Sequence, residues 1–352
     1  MNRSHLNKAG QETRLRRWVV ILFSGVALAW GSFSQGGNVQ EVKQMAPDAT
    51  ANEGVLSAGA SHTCGIKRDG TVACWGDNSR GQLSGIPSGT FMQLSASNDH
   101  TCGIKSDGTI VCWGSNLYGQ LTTIPIPSGP FTQVSAGGLC SCAIRSDGSV
   151  ACWKHKQPPI VAVPWNPKFN IPLEFNNIPG LCSPLSGGTF MQISGLCGVE
   201  SDGTLACWQE NWSTNTVEPS TNIPNGSFRQ ISVGGFLSCG VKRDSTLVCW
   251  GNNREINPTG QITNTPSGTF RQVSAGTSHT CALKSDGTVA CWEYNWRSNT
   301  LEPSSNTPRG TFRQVSAGGG HTCALKSDGR VVCWGDNSHG QLNNISTAVF
   351  GH

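Results

Sequence analysis

Sixteen cysteines in a chain of 352 residues are the side chains best suited to chemistry. Thiols form disulfides, bind soft metals or act as nucleophiles, and their spacing discriminates. Fourteen fall into seven C-x9-C pairs: Cys64 with Cys74, Cys102 with Cys112, Cys142 with Cys152, Cys197 with Cys207, Cys239 with Cys249, Cys281 with Cys291, and Cys323 with Cys333. An even count at regular spacing points to disulfides formed in an oxidising compartment. Cys140 and Cys182 stand outside the pattern. Four histidines, His62, His100, His279 and His321, each lie two residues before a first cysteine. The repeat sets them one unit apart, far beyond the roughly 2 Å ligand distance to a single ion. Each is expected to bond neighbouring backbone and shape its loop; no metal and no cofactor is expected. An aspartate recurs between the members of every pair: Asp69, Asp107, Asp147, Asp202, Asp244, Asp286 and Asp328. Six have a lysine or arginine two residues before them: Lys67, Lys105, Arg145, Lys242, Lys284 and Lys326. Local turn chemistry explains these aspartates, and the mixed signs argue against a polyanion partner. No G-x-S-x-G, H-E-x-x-H or P-loop is present, so no catalytic constellation and no enzyme are expected.

The element that positions each cysteine pair is a β-hairpin. In Cys64 to Cys74, the three residues Arg68-Asp69-Gly70 supply a common hairpin loop with glycine in the left-handed position. That loop sets Lys67 opposite Thr71, Ile66 opposite Val72 and Cys64 opposite Cys74, the last at a closely approaching, non-hydrogen-bonded pair. A cross-strand disulfide there is worth about 3 kcal/mol on chain-entropy reasoning. Unit five carries Ser245 where the glycine belongs, which predicts a more strained turn. Upstream segments beginning at Phe91, Phe131, Phe190, Phe228, Phe270 and Phe312 supply a further strand.

Successive units lie 38, 40, 55, 42, 42 and 42 residues apart, a repeat signature. A three-stranded antiparallel unit cannot bury both faces alone. Seven of them stacked radially give an all-β, seven-bladed β-propeller of antiparallel blades. The tryptophan after every second cysteine is expected to fill the space between blades. The first unit lacks the Phe-x-Gln start, and Ser346–Phe350 is expected to latch the ring in its place. The expected organisation is a signal peptide or N-terminal anchor at 1–29, a linker at 30–54 and the propeller at 55–350, with an insertion at 154–185. The leader reading rests on Arg14, Arg16 and Arg17 before an apolar run from Trp18 to Trp30. Residues 1–29 hold five basic side chains and one acid, leaving 20 of each sign in the remainder. A neutral domain lacks the footprint of a nucleic-acid binder, so no nucleic-acid partner is expected.

Three features depart from the repeat. Cys182 lies in the insertion, Cys140 in the loop before the third hairpin, and a Cys140–Cys182 bridge is expected to tie the two together. Unit four is four residues short between Phe190 and Cys197. The connectors of units four and six resemble each other, in Asn211 to Glu218 and Asn295 to Glu302. Their Trp212 and Trp296, with Trp165 of the insertion, are the candidate partner-binding residues.

The segment Ser316 to Leu342, and likewise Ser57 to Leu83, carries Ser-Ala-Gly-x-x-His-Thr-Cys through Cys-Trp-Gly-Asp-Asn-Ser-x-Gly-Gln-Leu. It resembles the repeat of the regulator of chromosome condensation family, over about Val55 to Leu342. The resemblance implies a seven-bladed propeller. The cysteine pairs depart from the nuclear members and are similar to extracellular bacterial repeats and to the crinkly-type receptor-kinase ectodomains of plants. The family's founding member is a guanine-nucleotide exchange factor that binds nucleosomes, and a bacterial relative of the same fold inhibits β-lactamases, so the fold alone assigns no activity. The expected function is a noncatalytic, extracytoplasmic scaffold, secreted, periplasmic or at the cell surface. It is expected to be a monomer that binds a protein or glycan through its loops, touching a membrane only through an uncleaved N-terminal segment. The alternatives are a guanine-nucleotide exchange factor-like regulator of a small GTPase, and an enzyme inhibitor or glycan-binding adhesin.

Overall fold

The computed structural model describes residues 55–117, 121, 128–138, 140–154, 188–211, 216–251, 262, 265–295, 298 and 300–351. Cys182, Trp165, Trp212 and Trp296 lie outside them, as do the leader, the linker and nearly all of the insertion. The described strands form seven antiparallel sheets in consecutive order along the chain, each an inner, a middle and an outer strand. In blade one these are Leu56–Ala58, His62–Ile66 and Val72–Gly76. The inner strand of each blade packs beside that of the next, and Leu56–Ala58 packs beside Phe312–Ala317 of blade seven. The ring is therefore closed. Among the described residues no helix is long and apolar enough to cross a membrane.

The hairpin register is the one that the spacing dictates. Ile66 pairs with Val72 and Cys64 with Cys74, and Lys67 N donates to Thr71 O at 2.7 Å. Gly70 takes φ +80°, the left-handed region that closes the three-residue loop. All seven C-x9-C pairs are disulfide-bonded across their hairpins. Cys64 is joined to Cys74, Cys102 to Cys112, Cys142 to Cys152 and Cys197 to Cys207. Cys239 is joined to Cys249, Cys281 to Cys291 and Cys323 to Cys333. Their Cα atoms stand 4.0–4.1 Å apart, the close approach of directly opposed residues.

Strand alternation gives each blade two unlike faces. One bears the disulfide and the residue two positions after its first cysteine; the other bears the starting phenylalanine and the outer-strand tryptophan. The disulfide face of one blade packs on the aromatic face of the next. Cys102 and Ile104 thus meet Phe131 and Trp153, and Cys239 and Val241 meet Phe270 and Trp292. The same arrangement carries blade seven onto blade one, where Cys323 and Leu325 share a cluster with Phe350 and Trp75. Phe350 is fully buried and stands edge-on to Trp75 at 5.8 Å between ring centroids. It lies over Gly65, where any β-carbon would come within 2.7 Å of its ring.

Phe350 occupies the place that a starting phenylalanine takes in the other blades. In each of those, its N–H donates to the carbonyl of the preceding turn, as Phe91 does to Gly70; Phe350 N donates to Gly329 O at 2.8 Å. Gly351 N then donates to Ile66 O, while Val55 O accepts from Ile66 N. The latch expected from Ser346–Phe350 is therefore a single β-bridge, Lys67 to Phe350, in place of a strand. Blade one is assembled from both ends of the propeller chain.

Blades four and six gain a fourth strand, Thr216–Pro219 and Thr300–Pro303. Glu210 pairs with Val217, and Tyr294 with Leu301. These are the two connectors whose sequences resemble each other.

Candidate interaction site

The channel along the propeller axis is lined by Gln-x-Ser of the inner strands and encloses about 150 Å³. The glutamines bridge blades through both amide atoms. Gln314 Oε1 accepts from Leu56 N at 3.0 Å and its Nε2 donates to Leu56 O at 2.8 Å. Gln93, Gln133, Gln192 and Gln230 make the same pair of bonds to the next blade. A serine ring does likewise: Ser57 Oγ accepts from Ala96 N, and so on round to Ser316 Oγ, which accepts from Ala58 N at 2.9 Å. The channel is therefore a belt that holds blades together, its amides already engaged. Phe-x-Gln-x-Ser is visible in the sequence, but a polar residue every second position does not say which neighbour it bonds.

The expected bond of each histidine to neighbouring backbone is corrected for three of the four. His62 Nε2 is 2.8 Å from Thr101 Oγ1, His321 Nε2 is 2.7 Å from Thr63 Oγ1, and His279 Nε2 is 2.7 Å from Thr322 Oγ1. Each partner is the threonine before the next blade's first cysteine. The side chains therefore fasten blades six, seven, one and two in series. Burial pushes His62 and His321 down to about 4 from the ordinary 6.5, with a neighbouring histidine adding to the effect in both. Nδ1 of each is buried without a partner, so a second proton would leave an unpaired charged donor in a dry site. In blade five Leu237 replaces the histidine, and the Thr280 hydroxyl is buried without a hydrogen-bond partner. Among the described residues, no three His, Cys, Asp or Glu form a metal-ligating group.

The aspartates do what turn chemistry requires. Asp69 Oδ1 accepts from Thr71 N at 2.9 Å and from its hydroxyl at 2.6 Å. Asp107, Asp202, Asp244 and Asp286 repeat both bonds with the threonine two residues on. These bonds hold the carboxyl groups below the ordinary aspartate range, led by the hydroxyl of Thr71 for Asp69 and the backbone N–H of Thr204 for Asp202. Asp147 and Asp328 bond the corresponding N–H of Ser149 and Arg330.

The turns and the inner-to-middle loops lie at opposite ends of every blade, so the ring has a turn face and a loop face. Departures from the repeat gather on the loop face. Lys154, where the insertion begins, pairs with Cys140 at the loop end of blade three. Cys140 is disulfide-bonded; its expected partner, Cys182, lies outside the described residues. Blade four shortens its loop to Gly195-Leu196, with Ser194 paired to Cys197. The fourth-strand hairpins of blades four and six also run past the loop end, since His279 pairs with Glu293 and the strand continues to Asn295.

A closed ring of seven disulfide-stapled antiparallel blades defines a β-propeller of the repeat class. Residues 56–82, 93–120, 228–255, 270–292 and 312–341 match the family described as "Regulator of chromosome condensation (RCC1) repeat", so five of the blades carry this repeat. The unmatched blades, three and four, are those that hold the insertion and the shortened loop. No curated protein matches the sequence significantly. Among solved structures, the chain is similar to the CRINKLY WD40 ectodomain of the Arabidopsis thaliana receptor kinase ACR4, with 22% identity, TM-score 0.56, and 80% of this chain and 95% of that one covered. The entire ectodomain of the Physcomitrella patens receptor kinase CR4 gives 20% identity, TM-score 0.57, and 80% and 72% coverage. Human WBSCR16 gives 18% identity, TM-score 0.56, and 77% and 86% coverage. At these identities the likeness speaks for the fold.

Proposed function

We propose that this chain is a noncatalytic, extracytoplasmic propeller that binds a protein partner through its loop face. One observation carries the reading. The recurring Gln, Ser, His and Asp side chains bond other parts of the propeller, whereas the segments that break the repeat leave from one face. Those segments are the chain after Lys154 and the fourth-strand hairpins of blades four and six. Trp165, Trp212 and Trp296 belong to them and are the proposed contacts; aromatic anchors of this kind dominate protein interfaces. The seven intrachain disulfides point to an oxidising, extracellular location. Residues 1–29 are proposed as the export segment, and a Cys140–Cys182 bridge as the tether of the insertion.

Affinity capture from the native envelope, followed by mass spectrometry, tests the reading. The full chain should retain a specific protein that a Trp165→Ala, Trp212→Ala, Trp296→Ala variant loses. A triple variant that retains full affinity would remove this surface from the proposal.

A further inference from the structure

The turn face carries a charge asymmetry that the neutral net charge conceals. At each blade it presents the residue after the starting phenylalanine and the five-residue turn. Blades five, six, seven and one contribute ten Lys and Arg against four Asp. Blades two, three and four contribute two basic residues against four carboxylates. The innermost positions divide along the same line. Arg229, Arg271 and Arg313 follow the phenylalanine in three consecutive blades, whereas Met92, Thr132 and Met191 do so in the other three. All six start an inner strand at a bulge, beside the mouth of the channel.

The arginines are held in place. Arg229, Arg271 and Arg313 each donate a guanidinium N–H to the carbonyl of the next blade's Phe270, Phe312 and Phe350. That bond orients each guanidinium and occupies one of its donors; Nε of Arg229 and of Arg313 is buried, and Arg271 is the exposed member of the three. Exposed Arg68, Arg243 and Arg330 extend the positive field along the rim. Across the mouth, Met92 and Met191 are each 46% exposed, two of the largest apolar exposures among the described residues. Exposed thioether side chains form adaptable apolar contacts.

We infer that the turn face is a second docking surface, for an acidic protein segment that lays carboxylates on the arginine arc of blades five to seven and an apolar side chain on the Met92–Met191 arc. A polyanionic glycan would satisfy the arginines but leave the methionines unused, which is why a peptide is the better fit. This inference does not rest on the loop-face reading, because the two surfaces lie at opposite ends of the blades.

The test uses the full chain and three fluorescent probes: a Glu/Asp dodecapeptide with a central Leu-Leu, the same peptide with Gly-Gly there, and polygalacturonate. Arg68→Ser, Arg243→Ser and Arg330→Thr import residues that other blades carry at these positions, so folding is preserved. Their combination should weaken the Leu-Leu peptide about tenfold at low salt, the sum of three exposed charge contacts. Met92→Thr with Met191→Thr, copying Thr132, should remove the preference for Leu-Leu over Gly-Gly and leave the Gly-Gly affinity unchanged. Polygalacturonate binding more tightly than both peptides, with no response to the methionine pair, would overturn the inference in favour of a glycan surface. Equal binding of all probes by wild type and variants, or binding of none, would overturn it outright.

Discussion

In blade one, the turn Lys67 to Thr71 and the loop Gly59 to Ser61 join strands of the same sheet by different means. The turn sets its shape with its own residues, and its outside bonds run backbone to backbone, from Arg68 N to Val349 O and from Phe91 N to Gly70 O. Lys67 N meets Thr71 O, Gly70 supplies its positive φ, and Asp69 closes on Thr71. The loop borrows from its neighbour. Ala60 N donates to Ser97 O of blade two, and His62 reaches Thr101 there. A segment whose shape is set by its own side chains, and whose outside bonds are to backbone that every blade supplies, can be repeated seven times. A segment that depends on the next blade changes whenever that blade changes, as when Leu237 leaves Thr280 unpartnered. The outer strand runs from the turn to the loop end of its blade, so insertions and extra strands emerge there.

The largest effect is expected at the seam, where the ring closes. Phe350→Ala removes a fully buried ring and frees the end of the chain that completes blade one. Truncation of a buried phenylalanine costs about 3–5 kcal/mol. Urea denaturation monitored by tryptophan fluorescence should show at least that loss. A loss under about 1 kcal/mol would mean that the ring closes without its latch.

Acid should separate the two faces. His62 and His321 have folded pKa values depressed to about 4, and the unfolded chain titrates near 6.5. Above that value neither state binds the proton. As pH falls from about 6.5 towards 4, the unfolded state takes it up first, so stability declines across that window, by an amount on the order of 3 kcal/mol per histidine. On the turn face Asp69, Asp107 and Asp244 are also depressed, so their contribution is present above their unfolded value of 3.8 and is lost only below it. Denaturation midpoints at pH 7 and pH 4.5 should therefore differ, and His62→Leu with Thr101→Val should shrink the difference. The same decline in that double variant and in a His321→Leu variant would assign the acid response elsewhere.

What can be read from the sequence follows the same division. Hairpin register, the seven disulfides and the Asp-Thr turns depend on residues within one C-x9-C unit, so their spacing alone determines them. Ring closure is readable because Phe350 repeats the phenylalanine that blade one lacks. The His–Thr links look local in the sequence, since nothing along the chain joins His62 to Thr101 across 39 positions. The fourth strands of blades four and six show only as two similar connectors. A strand that pairs at one sheet edge needs no alternation strong enough to announce it. The arginine arc is hidden by counting charge over the whole domain, where carboxylates elsewhere in the chain offset it.

The smallest effect tests most directly whether the turn sets its own shape. Six turns place glycine at the left-handed position; blade five places Ser245 there at φ 71°. A non-glycine residue pays about 1–2 kcal/mol for that conformation, partly offset because glycine loses more backbone entropy on folding. Ser245→Gly should therefore stabilise the protein by about 1 kcal/mol. Ser245 N already donates to Lys242 O and its carbonyl accepts from Phe270 N, bonds that glycine keeps unchanged. The gain should thus be confined to blade five, with amide exchange slowed at Lys242 to Thr246 and unaltered in the turns of blades four and six. Changes spreading to those neighbours would show that the turn face, too, is held by context, and the contrast between the two faces would fail.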